Sequence, residues 1–324
     1  MKARSLPGVT LQLLPFPAAD YAAWRKVQVE RRRRWQFGPL WADDGAAAAQ
    51  ARTAVDELAP AEGLSGTHLH RVLGGDGELG WVWTSRQGTE LLVLDAEVDA
   101  PAAGLLHLLE THARAGDAKQ LVLDRMVAAP TTAALAEEGG FAPVSATMVL
   151  PLEDALHDGA SGVRLMPMTE ASFSAYLDSA IDEYARELVQ GDGLTWEDAL
   201  RRSRTEYFGL LPHGLHTDGQ VLLDVVGVAE GGTVGALWLG LRPPAAAFVE
   251  DLYLRPTVRG RGLGRAAMHA AADFCRSRGL SVLGLTVFER NVVARGLYDS
   301  LGYTTVVEAA RRPVEPAPPV AGPR

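Results

Sequence analysis

A mixed α/β fold, present twice in one chain, is what this sequence predicts, and three observations point to it. The chain has 324 residues, more than one ordinary domain, since roughly 150 residues per domain is typical. Strand-like apolar runs alternate with stretches whose apolar residues recur at helical spacing. The same order of signals then occurs a second time. With 47% hydrophobic and 22% charged residues, either half has enough apolar surface for a core, and a disordered or collagen-like chain is excluded.

The first copy opens with Val9-Thr10-Leu11 as a strand and 19–24 as the start of a helix, and the second repeats this as Val163-Arg164-Leu165 and 171–176. Leu58-Ala59-Pro60 with Gly63-Leu64 is matched by Leu210-Leu211-Pro212 with Gly214-Leu215. Gly80-Trp81-Val82-Trp83 is matched by Gly235-Ala236-Leu237-Trp238, and Gly139-Gly140-Phe141 by Leu301-Gly302-Tyr303. The order is preserved throughout, which chance does not explain. The boundaries that follow are a first unit at 1–156, a linker at 157–162, a second unit at 163–312 and a tail at 313–324. The tail is rich in proline and lacks apolar periodicity, so disorder is expected there.

In the second unit, 220–228 and 233–241 read as strands bounded by turn chemistry at Asp218-Gly219 and Gly231-Gly232. A third apolar strand covers 247–254. Leu263, Ala267, Ala270, Ala271, Phe274 and Cys275 recur at helical spacing with His269, Asp273 and Arg276 opposite, and Gly279 closes that helix. Residues 281–288 return as a strand, 292–300 form a short helix and 303–309 a closing strand. The result is a mixed, mostly antiparallel twisted sheet flanked by helices.

A formal charge of −9 gives the chain no general attraction to nucleic acid or to an anionic membrane, and favours a cationic or neutral substrate. One cysteine, Cys275, precludes an intramolecular disulfide and a multi-cysteine metal site, which fits a reducing compartment. The apolar stretch 9–14 is short, contains Thr10 and Gln12, and runs into Pro15 and Pro17, so it does not read as a signal peptide. No apolar run approaches the ~20 residues that span a bilayer. A cytoplasmic, soluble protein is the expectation.

Between the strand at 247–254 and the helix from Leu263 lies Arg259-Gly260-Arg261-Gly262-Leu263-Gly264-Arg265. Such a strand-loop-helix turn can hold an anion. Glycines let the backbone approach a ligand and take positive φ, unpaired N–H groups at the helix start point outward, and the helix dipole adds partial positive charge. A tight connection with no ligand is the competing reading. A dinucleotide loop needs G-x-G-x-x-G spacing, and Arg265 occupies its last glycine; a P-loop needs Lys before Ser or Thr, which is absent.

The stretch resembles the Arg/Gln-x-x-Gly-x-Gly/Ala pyrophosphate loop of the GNAT acetyltransferases, as Arg259-x-x-Gly262-x-Gly264. Phe248-Val249-Glu250-Asp251-Leu252-Tyr253-Leu254-Arg255-Pro256 resembles that family's central strand. Asn291-Val292-Val293-Ala294-Arg295-Gly296-Leu297-Tyr298 with Leu301-Gly302-Tyr303 resembles its N-x-x-A-x-x-L-Y segment. These blocks cover most of the second unit, a weaker likeness covers the first, and the whole arrangement is similar to tandem acetyltransferases of the mycothiol synthase type. The resemblance implies two tandem GNAT folds, acetyl-CoA as cosubstrate without a metal, and direct acetyl transfer to a primary amine in a ternary complex. The cosubstrate site it implies comprises Leu252, Tyr253, Leu254, Arg259, Gly260, Arg261, Gly262, Leu263, Gly264, Arg265, Asn291, Ala294 and Tyr298.

An alkylammonium with a pKa near 10.4 must lose a proton before it attacks at pH 7, which costs about 4.6 kcal/mol, so a base is required. By family likeness that base is Glu250, acting through a water; a purely structural carboxylate is the alternative. Asp251 points to the other face of a regular strand, unless a bulge intervenes. Tyr298 resembles the family's tyrosine that protonates the departing thiolate, against the alternative of a core tyrosine. Asn291 would bond the pantetheine arm or fix the following helix, and a backbone N–H near Tyr253 or Leu254 would polarise the carbonyl. Asp178, Asp182, Glu183, Glu187 and Asp192 lie in the segment that forms an acceptor wall in the family; they favour a cationic acceptor or are an ordinary solvated face. Arg31 to Arg34, beside Trp35, read as an exposed helical stretch of the first unit in this acidic chain, with a contact for an anionic partner as the alternative. His68, His70, His213 and His216 lack partners at ligand spacing and read as structural or pocket-lining.

The first copy has lost these features. Glu250 aligns with Leu94, Asn291 with Ala129 and Tyr298 with Ala136, and the first copy is six residues shorter across the loop, where it passes through 99–104. It is expected to be a structural partner that covers the second, with a retained ligand pocket as the alternative. The expected function is acetylation of a small cationic amine; acetylation of a protein N-terminus or lysine, and a non-catalytic acetyl-CoA sensor or scaffold, are the alternatives. The duplication is compatible with a monomer or a homodimer.

Overall fold

The structure, a computed structural model, describes residues 10–37, 44–64, 66–75, 77–153, 162–192, 194–242 and 245–315. The first repeat runs β1 (Gln12–Pro15), α1 (Tyr21–Arg32), α2 (Asp44–Leu58), β2 (Thr67–Gly74), β3 (Gly77–Gln87), β4 (Glu90–Val98), α3 (Ala102–Ala115), β5 (Gln120–Met126), α4 (Pro130–Glu138) and β6 (Ala142–Pro151). The second runs β7 (Val163–Pro167), α5 (Glu170–Asp192), α6 (Trp196–Leu210), β8 (Gln220–Gly227), β9 (Gly232–Arg242), β10 (Ala246–Leu254), α7 (Leu263–Ser277), β11 (Val282–Phe288), α8 (Val292–Ser300) and β12 (Thr304–Pro313). Among the described residues, no helix is long and apolar enough to cross a membrane.

Repeats and compact units do not coincide. One unit gathers 1–148, 287–295 and 304–324, and the other 149–286 and 296–303. In the first unit the strand order is β1-β2-β3-β4-β5-β12-β6, so the last strand of the chain lies between two strands of the first repeat. β12 pairs antiparallel with β5, placing Val307 opposite Met126. In the second unit the order is β11-β10-β9-β8-β7. Each unit has one parallel pair, β4 with β5 and β10 with β11, beside antiparallel neighbours.

The registers of the two sheets superpose the repeats. Gly80 faces Val98 and Trp83 faces Asp95, as Gly235 faces Leu254 and Trp238 faces Asp251. Gly235 must be glycine because a Cβ there would run into the Tyr253 carbonyl, and Gly80 meets the Glu97 carbonyl in the same way. Glu90 lies opposite Gln120 and Ala246 opposite Val282 in the parallel pairs, so the length difference falls between these strands. Three residues link β4 to α3, whereas eight link β10 to α7.

Both faces of the first sheet are covered. Leu105 and Leu109 of α3 pack on Val82, Val93, Leu121 and Leu123, while Trp24 of α1 and Val55 of α2 pack on Leu69, Trp83 and Leu94. A fully buried leucine such as Leu109 contributes about 1.5–3 kcal/mol. In the second unit Phe173 and Tyr176 of α5 meet Leu222 and Trp238. α7 ends as foreseen: Gly279 has φ +73° and the Leu280 N–H returns to the Cys275 carbonyl at 3.1 Å.

Three expectations are corrected. The opening strand is Gln12–Pro15, set by pairing with β2, so that Thr10 and Leu11 precede it although Leu11 still packs on the core; Val9 lies outside the described residues. The tail is ordered at its start: the Val314 N–H donates to the Lys119 carbonyl at 2.9 Å and its side chain packs on the first core. Residues 316–324 and the linker at 157–161 lie outside the described residues. Arg31 and Arg32 are not an exposed stretch. Each is 7% exposed: Arg31 answers the charge of the buried Asp95, and Arg32 lies against the Trp83 ring.

Candidate active site

The register of β10 on β9 slips by one residue between Val249, opposite Leu239, and Asp251, opposite Trp238. Glu250 is therefore the extra residue of a β-bulge. A regular strand would send Glu250 and Asp251 to opposite faces. Here the slip turns Asp251 to the Trp238 face, and the Glu250 carboxylate lies over Gly240, two residues from Trp238 along β9 and on that same face. Two carboxylates share one side of the sheet, and the regular-strand expectation for Asp251 gives way to the bulge.

α5 and α6 supply what these carboxylates meet. The Tyr176 O–H donates to Asp251 Oδ2 at 2.8 Å. The Tyr207 ring centroid is 5.8 Å from that of Trp238 and 6.3 Å from that of Tyr184. α6 is held at its start by Thr195, whose hydroxyl accepts from the Asp198 N–H at 3.2 Å. Burial raises the Asp251 carboxyl to about 6; the Tyr176 hydrogen bond opposes the rise, and Glu183 and Glu187 add to it. Glu250 has a different neighbour: its Oε1 accepts from Arg242 at 2.8 Å. Burial also raises the Glu250 carboxyl, with Arg242 opposing. Of the acidic wall, only Glu183 and Glu187 act on Asp251; Asp182 is 3.8 Å from Arg186 on the same helix, Asp178 is exposed, and the Asp192 side chain lies outside the described residues.

The glycine-rich turn is built as an open helix start. After the short 3₁₀ turn Pro256–Val258, Gly260 has φ +75° and Gly262 has φ +81° as the residue before α7. A Cβ at either would meet no protein atom within 4 Å, so positive φ is what demands glycine here. The first helical bond runs from the Ala266 N–H to the Gly262 carbonyl at 3.1 Å, which leaves the N–H groups of Leu263, Gly264 and Arg265 without helical acceptors. Arg259 Nε donates to the Leu254 carbonyl at 2.8 Å, and its guanidinium lies 3.5 Å from Glu183. Arg261 reaches the Thr257 carbonyl at 3.1 Å and Arg265 the Ser300 hydroxyl at 2.6 Å. All three arginines are exposed, while Leu252, Tyr253 and Leu254 are half-buried.

Tyr298 on α8 is 9% exposed. Burial, reinforced by Asp251, pushes its phenol up to about 12, so it holds its proton at neutral pH. Asn291 Oδ1 accepts from the Ala294 N–H at 3.1 Å and caps α8, which realises one of its two expected roles. Glu250, Asp251, the turn and Tyr298 belong to the second compact unit, whereas Asn291 and Ala294 fall in the 287–295 stretch grouped with the first. Asp251 is the residue that sequence reasoning set aside. Its signals were Gly240, which clears space for Glu250, and the aspartate at the same place in both repeats.

The first repeat keeps the bulge, at Leu94, and keeps Asp95 opposite Trp83. There Arg31 forks onto the carboxylate, Nε to Oδ2 and Nη2 to Oδ1, both at 2.8 Å. Its turn is closed: the Gly104 N–H donates to the Pro101 carbonyl at 3.0 Å, and no arginine stands between Val98 and Ala102. Of the histidines, His213 is exposed and His216 is 3.6 Å from an equally exposed Glu170. His70 stacks edge-on with His112 at 5.1 Å, a partner not foreseen, and no group among the described residues has metal-site geometry.

The profile of the Acetyltransferase (GNAT) family matches residues 177–303. The chain is 34% identical to the uncharacterized N-acetyltransferase YycN of Bacillus subtilis, over 44% of this chain and 92% of that protein. The chain belongs to the GNAT acetyltransferase family. It is an acyltransferase of a family that uses acetyl-CoA as cosubstrate. The likeness extends beyond one repeat: a mycothiol acetyltransferase of Stackebrandtia nassauensis is 28% identical over 81% of this chain and 93% of its own length. A GCN5-related N-acetyltransferase from Sphaerobacter thermophilus shares the fold with a TM-score of 0.57 at 17% identity, covering 96% of this chain and 98% of that one. This GNAT protein thus carries the fold twice.

Proposed function

We propose that this acetyltransferase moves the acetyl group of acetyl-CoA to the primary amine of a small cationic molecule, and that the second repeat does the chemistry. The observation that carries the reading is the bulge at Glu250, which sets Asp251 among Tyr176, Tyr207 and Tyr298. The unpaired N–H groups of Leu263, Gly264 and Arg265, with the side chains of Arg259, Arg261 and Arg265, suit a pyrophosphate. Leu252 to Leu254 would line the pantetheine arm and donate a backbone N–H to the thioester carbonyl.

In this reading the substrate ammonium loses its proton to Asp251. A carboxyl at about 6 accepts a proton from an amine of pKa near 10.4 at a cost of about 6 kcal/mol, against about 9 for an unshifted aspartate. The freed amine attacks the thioester carbonyl and forms a C–N bond. Collapse of the tetrahedral intermediate breaks the C–S bond, the departing thiolate takes the Tyr298 phenol proton, and the remaining excess proton on the amide nitrogen returns to the phenolate through solvent. Glu183 and Glu187 give the acceptor a negative wall, and the rings of Tyr184 and Tyr207 suit a cation. Glu250, the base that family likeness implies, shares the face but is engaged by Arg242. It is the second reading, and Glu250→Gln beside Asp251→Asn separates the two.

The test is to incubate the protein with acetyl-CoA and a panel of diamines, amino acids, aminoglycosides and lysine peptides while following thiol release. Turnover is expected on small amines with a second positive charge. Turnover confined to peptides would favour a protein acetyltransferase, and tight acetyl-CoA binding without turnover on any amine would favour a sensor.

A further inference from the structure

We infer that the first unit contains a buried binding site for a small carboxylate, formed by Trp24, Gln28 and Arg32 of α1 against Trp83 of β3. The three α1 residues follow one another at four-residue spacing and form one stripe. They are 4%, 0% and 7% exposed, and Trp83 is 0% exposed. Trp24 meets Trp83 edge-on at 5.1 Å, and the Arg32 guanidinium lies 5.8 Å from the Trp83 ring centre, so Gln28 is bracketed between two residues that reach the same indole.

The polar atoms of this cluster lack protein partners. The indole N–H groups of Trp24 and Trp83, the Nε–H of Arg32 and both amide atoms of Gln28 are buried without a hydrogen bond among the described residues. Buried polar atoms are nearly always paired, so five in one cluster call for an occupant. Four of the five are donors. Charge points the same way: Arg31 spends itself on Asp95 and Glu97, but Arg32 donates only to the neutral Gln36 Oε1, at 2.8 Å. The buried Asp124 and Asp95 act on Arg32 electrostatically, but neither makes a hydrogen bond or ion pair with it among the described residues. A guanidinium taken out of water without a direct counter-ion needs an anion.

A small carboxylate satisfies the four donors, and Gln28 Oε1, an acceptor, is left to a water carried in with it. Its two oxygens accept from the indoles, from Gln28 and from Arg32 Nε, and its short apolar body rests against the rings. Burial limits its size. The site does not depend on acetyl-CoA binding or on the acetyl-transfer reading, since none of its residues takes part in either.

The experiment is thermal unfolding and tryptophan emission of the full chain in sodium acetate, compared with sodium chloride at equal ionic strength. Acetate is expected to raise Tm saturably. At ten times its dissociation constant it would raise the folded-to-unfolded ratio about tenfold, a shift of a few degrees. Gln28→Leu and Trp83→Phe should each weaken the effect at least tenfold in midpoint. A crystal structure of the wild type from acetate should show the carboxylate on Gln28 and Arg32. Equal effects of chloride and acetate, or crystals with only water bonded to Gln28, would overturn the inference whether or not either variant folds.

Discussion

Asp95 and Asp251 occupy the same place in the two repeats, each directly after a bulge and each opposite a tryptophan, yet their surroundings have opposite signs. Aligning the first helices through Trp24 and Tyr176 sets Arg31 against Glu183. In the first repeat the helix delivers a guanidinium that forks onto Asp95. In the second it delivers a carboxylate that helps raise Asp251. One charge reversal on a helix separates a structural ion pair from a basic carboxyl. The neighbouring turn diverges in parallel, open with three arginines in one copy and closed on Pro101 in the other. In the proposed reading the residues facing one aspartate and one helix start, rather than the fold alone, make the site.

The largest expected effect comes from neutralising the two aspartates separately. Asp251→Asn should lower kcat by on the order of 10²-fold or more, the usual contribution of a positioned base, with Glu250→Gln well behind it in steady-state assays. Asp95→Asn should leave kcat unchanged but destabilise the protein by about 3 kcal/mol in urea titrations, because Arg31 loses its forked partner in the interior. Equal loss of turnover in Asp251→Asn and Glu250→Gln would break the comparison.

Stability should move the other way at Asp251. Its folded pKa lies above the unfolded value, so its stabilising contribution is present below about 3.9 and is lost as pH rises through about 6. Asp251→Asn is therefore expected to unfold at higher urea than wild type at pH 8, by about 3 kcal/mol, and to match it near pH 3.5. Glu183→Arg imports the first repeat's charge. The acidic limb of kcat/KM, expected near pH 6 in the wild type, should shift down by about one unit, and turnover of cationic amines at pH 7 should fall about tenfold. Tyr298→Phe should likewise reduce turnover about tenfold, with acetyl-CoA affinity unchanged by calorimetry.

Much of the second unit was legible from residue order. Residues 292–300 were read as a helix and α8 is Val292–Ser300; the strands at 220–228, 233–241 and 247–254 shift by a residue or two. The positive φ of Gly260 and Gly262 followed from a turn between a strand and a helix. The bulge was not legible, because pairing with β9 decides it and no local propensity in Phe248 to Leu254 marks it. Asp251's altered basicity was equally hidden, since it arises from α5 and α6 packing across β10. The same holds for Arg31, whose charge implies solvent until Asp95 is placed beneath it. The location of β12 beside β5 joins segments nearly two hundred residues apart, beyond any periodicity.

Isothermal titration of the full chain with acetyl-CoA tests the central claim most directly. About one molecule should bind per chain, and Gly262→Val, which fills the space above the α7 start and strains a position at φ +81°, should abolish the heat of binding. Two molecules per chain, or undiminished affinity in Gly262→Val, would contradict the assignment of the cosubstrate to the second repeat alone.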